Sequence, residues 1–191
     1  MTSFAFDLLR QFQLMRCKAK LSSLKLLILD VDGVLTDGGL WYGESGEVVK
    51  RFDVRDGLGV KILQDIGIEV VFLSGGQGGA IEVRASHLGI RHCLFGVKDK
   101  VHGLSDLLVQ VEVEKEHVAF IGDDLNDLAV LSHVGLLIAP SDAVAPLRRR
   151  ANLVLRSSGG KGAVREFAEL VIKQRNAWST YEKNGWRARN D

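Results

Sequence analysis

Apolar and polar positions follow two different periods along this chain, and the changes of period mark its elements. Short, mainly apolar segments cover residues 26–31, 68–73, 117–121 and 134–138. Runs of strand length, rich in Leu, Ile and Val, predict strands buried on both faces. Between them, residues 57–65, 80–87, 100–109 and 126–132 carry the wider spacing of amphipathic helices. Strands alternating with helices predict an α/β fold, a doubly wound, Rossmann-like parallel sheet with helices on both faces. Two shorter segments, 93–95 and 152–155, extend that sheet.

Three stretches depart from the alternation. Residues 39–42 and 47–52 are strand-like and are separated by Gly43-Glu44-Ser45-Gly46, a β-hairpin signal placed directly after the first strand. A hairpin there would overhang the carboxyl edge of the sheet, where open α/β sheets bind ligands. Residues 1–23 form an apolar-rich leader, expected to be helical and to pack on the domain or on a neighbouring subunit. Residues 163–180 read as one helix with an apolar face through Val164, Phe167, Leu170 and Val171, and residues 181–191 are polar and basic, without expected structure. The expected organisation is one domain over 1–191, with a core at 24–172, a flap at 38–52 and an extension at 173–191.

Composition adds bounds. An apolar share of 46% supports a real core, and a net charge of +1 gives no reason to expect nucleic acid or a membrane surface as partner. No apolar run approaches the roughly 20 residues of a membrane span. With 21 glycines and 2 prolines the chain is suited to tight turns, and its 2 cysteines, Cys17 and Cys93, read as free thiols of a cytoplasmic protein.

The chemistry gathers where the strands end. The first apolar run stops on Asp30-Val31-Asp32-Gly33, and residues two apart on an extended chain face the same side. Two such carboxylates resist joint ionisation unless a cation lies between them, and Mg2+ is a hard cation suited to oxygen ligands. The other strand ends supply Ser74, then Gly122-Asp123-Asp124-Leu125-Asn126-Asp127, with Lys100 opening a helix between them. In a parallel sheet these ends share one edge, so Asp30, Asp32, Ser74, Lys100, Asp123 and Asp127 are expected to converge. Carboxylates, one ammonium and one hydroxyl suit Mg2+ and a phosphate. One aspartate can attack phosphorus and its neighbour can move protons, while lysine and serine hold the phosphoryl oxygens. Ser74-Gly75-Gly76-Gln77-Gly78-Gly79 lacks the spacing of a dinucleotide loop, Gly160-Lys161 lacks that of a P-loop, and the five histidines show no metal spacing.

In that order the segments resemble the haloacid dehalogenase superfamily of phosphotransferases. Leu35-Thr36-Asp37-Gly38, the hairpin, Asp53-Val54-Arg55-Asp56-Gly57 and Gly159-Gly160-Lys161-Gly162 resemble its cap-less group, typified by 3-deoxy-D-manno-octulosonate 8-phosphate phosphatase. The resemblance implies a Mg2+-dependent phosphatase acting on an acidic sugar phosphate in sugar-acid and lipopolysaccharide biosynthesis. It also implies a homotetramer joined through the 38–52 hairpin, each active site being covered by a neighbour. It makes Asp30 the nucleophile and Asp32 the acid/base, with the metal held by Asp30, the Asp32 carbonyl and Asp123. It places Asp32, Asp53, Val54, Arg55, Asp56, Gly57, Lys61, Arg84 and Lys100 around the sugar phosphate, and lets the segment 159–162 reach into the adjacent site.

Octulosonate phosphatases of this group resemble a Ser/Thr-Gly-Arg pattern where this chain has Ser74-Gly75-Gly76, so phosphatases of nonulosonic acid 9-phosphates, which also lack that arginine, stay open as an alternative. A non-catalytic oligomerisation domain associated with a cytidylyltransferase is a second alternative. A phosphoacceptor receiver module is a third, although its acid pair and phospho-aspartate come in a different order.

Overall fold

The computed structural model describes residues 3–186. Six strands form one parallel sheet: β1 (Leu26–Leu29), β4 (Glu69–Leu73), β5 (His92–Leu94), β6 (Val118–Ile121), β7 (Leu136–Ala139) and β8 (Leu153–Val154), in the spatial order β5-β4-β1-β6-β7-β8. The remaining two, β2 (Trp41–Tyr42) and β3 (Val48–Val49), pair antiparallel as the hairpin. Their pairing is shorter than the sequence suggests, because Lys50, Arg51 and Phe52 leave the ladder.

The apolar runs are explained by two cores. On β1, Leu27 and Leu29 face one layer with Val60, Leu63, Ile81 and Phe167, while Leu26 and Ile28 face the other with Leu104, Leu107 and Val130. The first layer is built by α1 (Ser3–Ser22), α2 (Val54–Asp65), α3 (Ala80–Leu88) and α6 (Ala163–Gln174), and the second by α4 (Lys100–Val111), α5 (Ala145–Arg150) and a 3-10 helix at Leu125–His133. The chain runs from β1 outward to β4 and β5, then returns to β6 on the other side of β1. That reversal opens a crevice at the carboxyl ends of β1 and β6, the usual ligand position in such sheets.

Several expectations are corrected. The segment 126–132 is a 3-10 helix rather than an α-helix, and α2 starts a turn early because Asp53 caps it. The helix expected over 163–180 ends at Gln174: Arg175 turns back to the carbonyls of Ile66 and Leu24, and Asn176 takes a left-handed φ of 55°. A separate helix, α7 (Trp178–Asn184), then runs into the stretch expected to be unstructured, anchored by Tyr181 donating to Asp65 Oδ2 at 2.6 Å. The rest of that stretch, 187–191, lies outside the described residues. The leader is helical as expected and docks on its own chain, with Cys17 and Leu21 in the core and Arg10 paired with Glu166 at 2.6 Å. Residues 1–2 of the leader, and the side chains of residues 3–6, lie outside the described residues. Cys17 and Cys93 are free thiols. Among the described residues no helix is long and apolar enough to cross a membrane.

Candidate active site

Asp30 follows β1 directly, and its amide still donates to Ile121 of β6 at 3.0 Å, so it leaves the sheet in register beside the end of β6. Its Oδ1 accepts from the Val31 amide at 2.8 Å. The Val31 carbonyl then accepts the amides of Val34, Leu35 and Thr36, curling the chain into a tight loop. Gly33 takes a φ of 80°, and a Cβ there would fall 2.0 Å from Asp123 Oδ2. A glycine is therefore required both by the turn and by the approach of the second acid.

Lys100 is the first residue of α4, whose start is fixed by Asp99 accepting the amides of Val101 and His102 at 3.0 and 3.2 Å. The buried ammonium lies 3.0 Å from Asp30 Oδ2 and donates to Asp127 Oδ1 at 2.6 Å. Asp127 is fully buried, and its Oδ2 accepts the amides of Asp123 and Asp124 at 2.8 and 3.2 Å. Asp127 thus braces the loop after β6 and ties it to Lys100.

One ammonium among these acids leaves an excess of negative charge. Burial, then the charge of Asp127, pushes the Asp30 carboxyl up to about 6 against the pull of Lys100. Burial, then the charges of Asp30, Asp127 and Asp124, pushes Asp123 up to about 7. Burial works against the charge on Lys100, yet Asp30 and Asp127 outweigh it and its pKa is raised. Asp30, Asp123 and Asp127 each offer an oxygen, all within 4.8 Å of one another. Since Asp127 spends its oxygens on Lys100 and two amides, Asp30 and Asp123 are the carboxylates left to meet a cation. Hard oxygen donors carrying unbalanced negative charge fit Mg2+.

Asp32 stands at the mouth of this crevice, its side chain 35% exposed, and Lys50 Nζ donates to both its oxygens at 2.7 Å. Ser74 is buried at the end of β4 and accepts the Gly76 amide at 3.1 Å. A Cβ on Gly76 would lie 3.3 Å from both Ser74 Oγ and Asp32 Oδ2, so serine and acid flank the same small space. Asp30, Asp32, Gly33, Asp123 and Asp124 line an open cavity of about 570 Å³.

The other expected contacts are not brought to this cavity in their own chain. Asp53 caps α2 and holds Arg55 at 2.9 Å, and the Arg55 hydrogen bond lowers the Asp53 pKa. Val54 is exposed, and Arg55 faces a separate basic cavity beside Lys161 and Arg165. Asp56 is buried and accepts the amides of Gly162 and Arg165 at 3.0 Å each, which clamps α2 to α6. Gly57 makes room for Arg84, whose guanidinium lies over the Phe52 ring at 5.8 Å. Lys61 donates to the Leu88 carbonyl at 2.9 Å and lines a cavity at the amino end of β4, the opposite edge of the sheet. Gly159 and Gly160 pack against the loop of Gly33 and Thr36 in the same chain, with the Gly160 amide donating to Val34 at 2.9 Å.

One role and one residue escape sequence reasoning. Asp127 is visible as an acid four residues after Asp123, but its brace role depends on Lys100 arriving from 27 residues away. Lys50 carries no signal at all, because only the fold of the hairpin turns it inward.

The family model for haloacid dehalogenase-like hydrolases matches residues 78–167. Over 154 residues the chain is 44% identical to the 3-deoxy-D-manno-octulosonate 8-phosphate phosphatase of Escherichia coli, spanning 81% of this chain and 82% of that one. The crystal structure of the phosphatase of that name from Moraxella catarrhalis, in complex with magnesium ion, phosphate ion and KDO, is similar with a TM-score of 0.86 and 34% identity over 90% of this chain and 98% of that one. The cobalt-bound enzyme from Haemophilus influenzae is similar with a TM-score of 0.82 and 40% identity over 85% and 95%.

Proposed function

Because the chain belongs to the haloacid dehalogenase-like hydrolases, in the group of the 3-deoxy-D-manno-octulosonate 8-phosphate phosphatases, we propose that it hydrolyses that acidic sugar phosphate with Mg2+ through an aspartyl phosphate on Asp30. The observation that carries this reading is the convergence of Asp30, Asp123 and Lys100 at the crevice between β1 and β6.

Asp30 and Asp123 would hold Mg2+, together with the Asp32 carbonyl. Bound there, the ion supplies positive charge that lets a carboxylate approach a phosphate. Asp30 attacks phosphorus with the oxygen not committed to Val31. Lys100 keeps that carboxylate charged and aimed. Asp32, at the mouth, gives a proton to the departing sugar oxygen and takes one from water afterwards. Ser74 holds a phosphoryl oxygen.

The test is phosphate release from a panel of sugar phosphates with Mg2+ or EDTA. Octulosonate 8-phosphate should be turned over best and EDTA should abolish turnover. If hexose phosphates win, the assignment fails. The nonulosonate 9-phosphates belong in the panel because Gly76 leaves its space beside Asp32 and Ser74 without a side chain. At limiting Mg2+, turnover should fall as pH drops from 8 to 5.5. Asp123 and then Asp30 take up protons through their raised values of about 7 and about 6, and protonated ligands bind the ion weakly. A profile flat across that window would contradict the ligand assignment.

The same reading carries a cytoplasmic location, consistent with two free thiols, and a homotetramer joined through the hairpin. The hairpin supports assembly by presenting Trp41, Tyr42 and Val49 at 72%, 70% and 57% exposure, an apolar patch that calls for a partner. In sedimentation, Trp41→Asp should shift a tetramer toward monomer. A wild type that sediments as a monomer would overturn this part.

A further inference from the structure

We propose that Lys50 is a positioning residue for the catalytic acid, holding the Asp32 carboxylate in place for both proton transfers and so tying the hairpin to the chemistry. The inference rests on the phosphatase reading above.

Each carboxylate of the Asp-x-Asp pair has its own lysine. Lys100 reaches Asp30 from α4, and Lys50 reaches Asp32 from the residue immediately after β3. The Lys50 side chain is only 7% exposed, far less than that of Asp32, so the ammonium lies beneath the carboxylate and leaves its outer side to the cleft. Among the described residues Lys50 is the one hydrogen-bond partner of the Asp32 side chain, and it touches both oxygens at 2.7 Å. Rotation of the carboxylate would break one of these contacts. A carboxylate has about four lone-pair positions, so two remain for the proton.

Both transfers need that fixed geometry. In the first, the Asp32 O–H bond breaks and its proton passes to the sugar oxygen, while that oxygen leaves phosphorus and Asp30 bonds to it. In the second, a water proton passes to Asp32 as the water oxygen bonds to phosphorus and the bond from Asp30 breaks. Phosphate departs and Asp32 is protonated again. Without Lys50, Asp32 would be free to turn away in either step.

Lys50→Met keeps most of the length of the side chain and removes its charge. On the octulosonate substrate, kcat should fall about 100-fold, the scale of a misplaced catalytic group, with KM changed by less than about 3-fold. With p-nitrophenyl phosphate, whose leaving group departs without a proton, rapid mixing of Lys50→Met should give a burst of one p-nitrophenolate per chain and then slow turnover. Only the second transfer is then impaired. Lys50→Arg should recover kcat to within about 10-fold of wild type. A wild-type kcat in Lys50→Met overturns the proposal. So does an equal loss on both substrates with no burst and a lowered Tm, which would assign Lys50 to the fold alone. The phosphatase reading is judged separately: it fails if wild type shows no Mg2+-dependent turnover, whatever Lys50→Met does.

Discussion

Asp30→Asn should reduce turnover by about 10,000-fold or more, the scale of removing a covalent nucleophile, while leaving the protein folded. The amide keeps the size of the carboxylate and can still accept from the Val31 amide that holds Asp30 at 2.8 Å. Stability should not fall in metal-free buffer at pH 8. A carboxyl raised to about 6 in the fold, above its unfolded value, contributes stability below the unfolded value, and that contribution is lost as pH rises through 6. At pH 8 the native Asp30 is therefore a charge the fold disfavours, and a neutral side chain removes the repulsion with Asp127. A Tm at or above that of wild type, paired with lost activity, separates the nucleophile from a structural acid. A Tm well below wild type would place Asp30 among the groups that hold the fold.

Lys100→Ala should act in the opposite sense on stability. Its ammonium is the buried cation between Asp30 and Asp127, at 3.0 and 2.6 Å. Removing one partner of a buried ion pair leaves charge uncompensated and costs about 3–5 kcal/mol, or roughly 6–20 °C in Tm for a chain of this size. Thermal unfolding at pH 8 should show that loss, and it should shrink toward pH 5 as the abandoned carboxylates take up protons. Added Mg2+ should restore part of it, since a ligand that binds only the folded state stabilises by mass action. Turnover should fall by about 100-fold or more from the lost electrostatic support. A Lys100→Ala protein as stable as wild type at pH 8 would mean that Asp30 and Asp127 do not depend on this cation.

The contrast between Lys100 and Lys61 shows what the chain makes legible in advance. Lys100 follows Asp99, a side chain able to cap a helix start, and lies next to the carboxyl edge in any parallel arrangement of these strands. Its place at the site could be reasoned from local pattern and topology. Lys61 sits inside α2, where helical rotation and length decide which end of the sheet it meets, and it meets the amino edge. Asp56 shows the same limit: that α6 packs on it and that its oxygens accept from Gly162 and Arg165 follows from the fold, not from its place at a helix start.

Asp30 and Asp123 were readable because Asp30 follows one apolar strand directly and Asp123 follows another after a single glycine, and parallel strands bring their ends together. The mainly apolar runs identified the sheet for a related reason. Their alternate residues serve two cores, so no polar face interrupts them. Lys50 was unreadable because its inward turn depends on how a two-pair hairpin leaves its ladder, a long-range property. The break at Asn176 was unreadable too, since apolar spacing continues past the point where the backbone turns left-handed.

The claim that the acids at the end of β1 and β6 make Asp30 a phosphate acceptor can be measured on the protein itself. Rapid acid quench during turnover of a phosphate-labelled octulosonate 8-phosphate with Mg2+, followed by peptide mass mapping, should find the label on Asp30 in wild type and nowhere in Asp30→Asn. Label on another residue, or unlabelled protein trapped during rapid turnover, would contradict it.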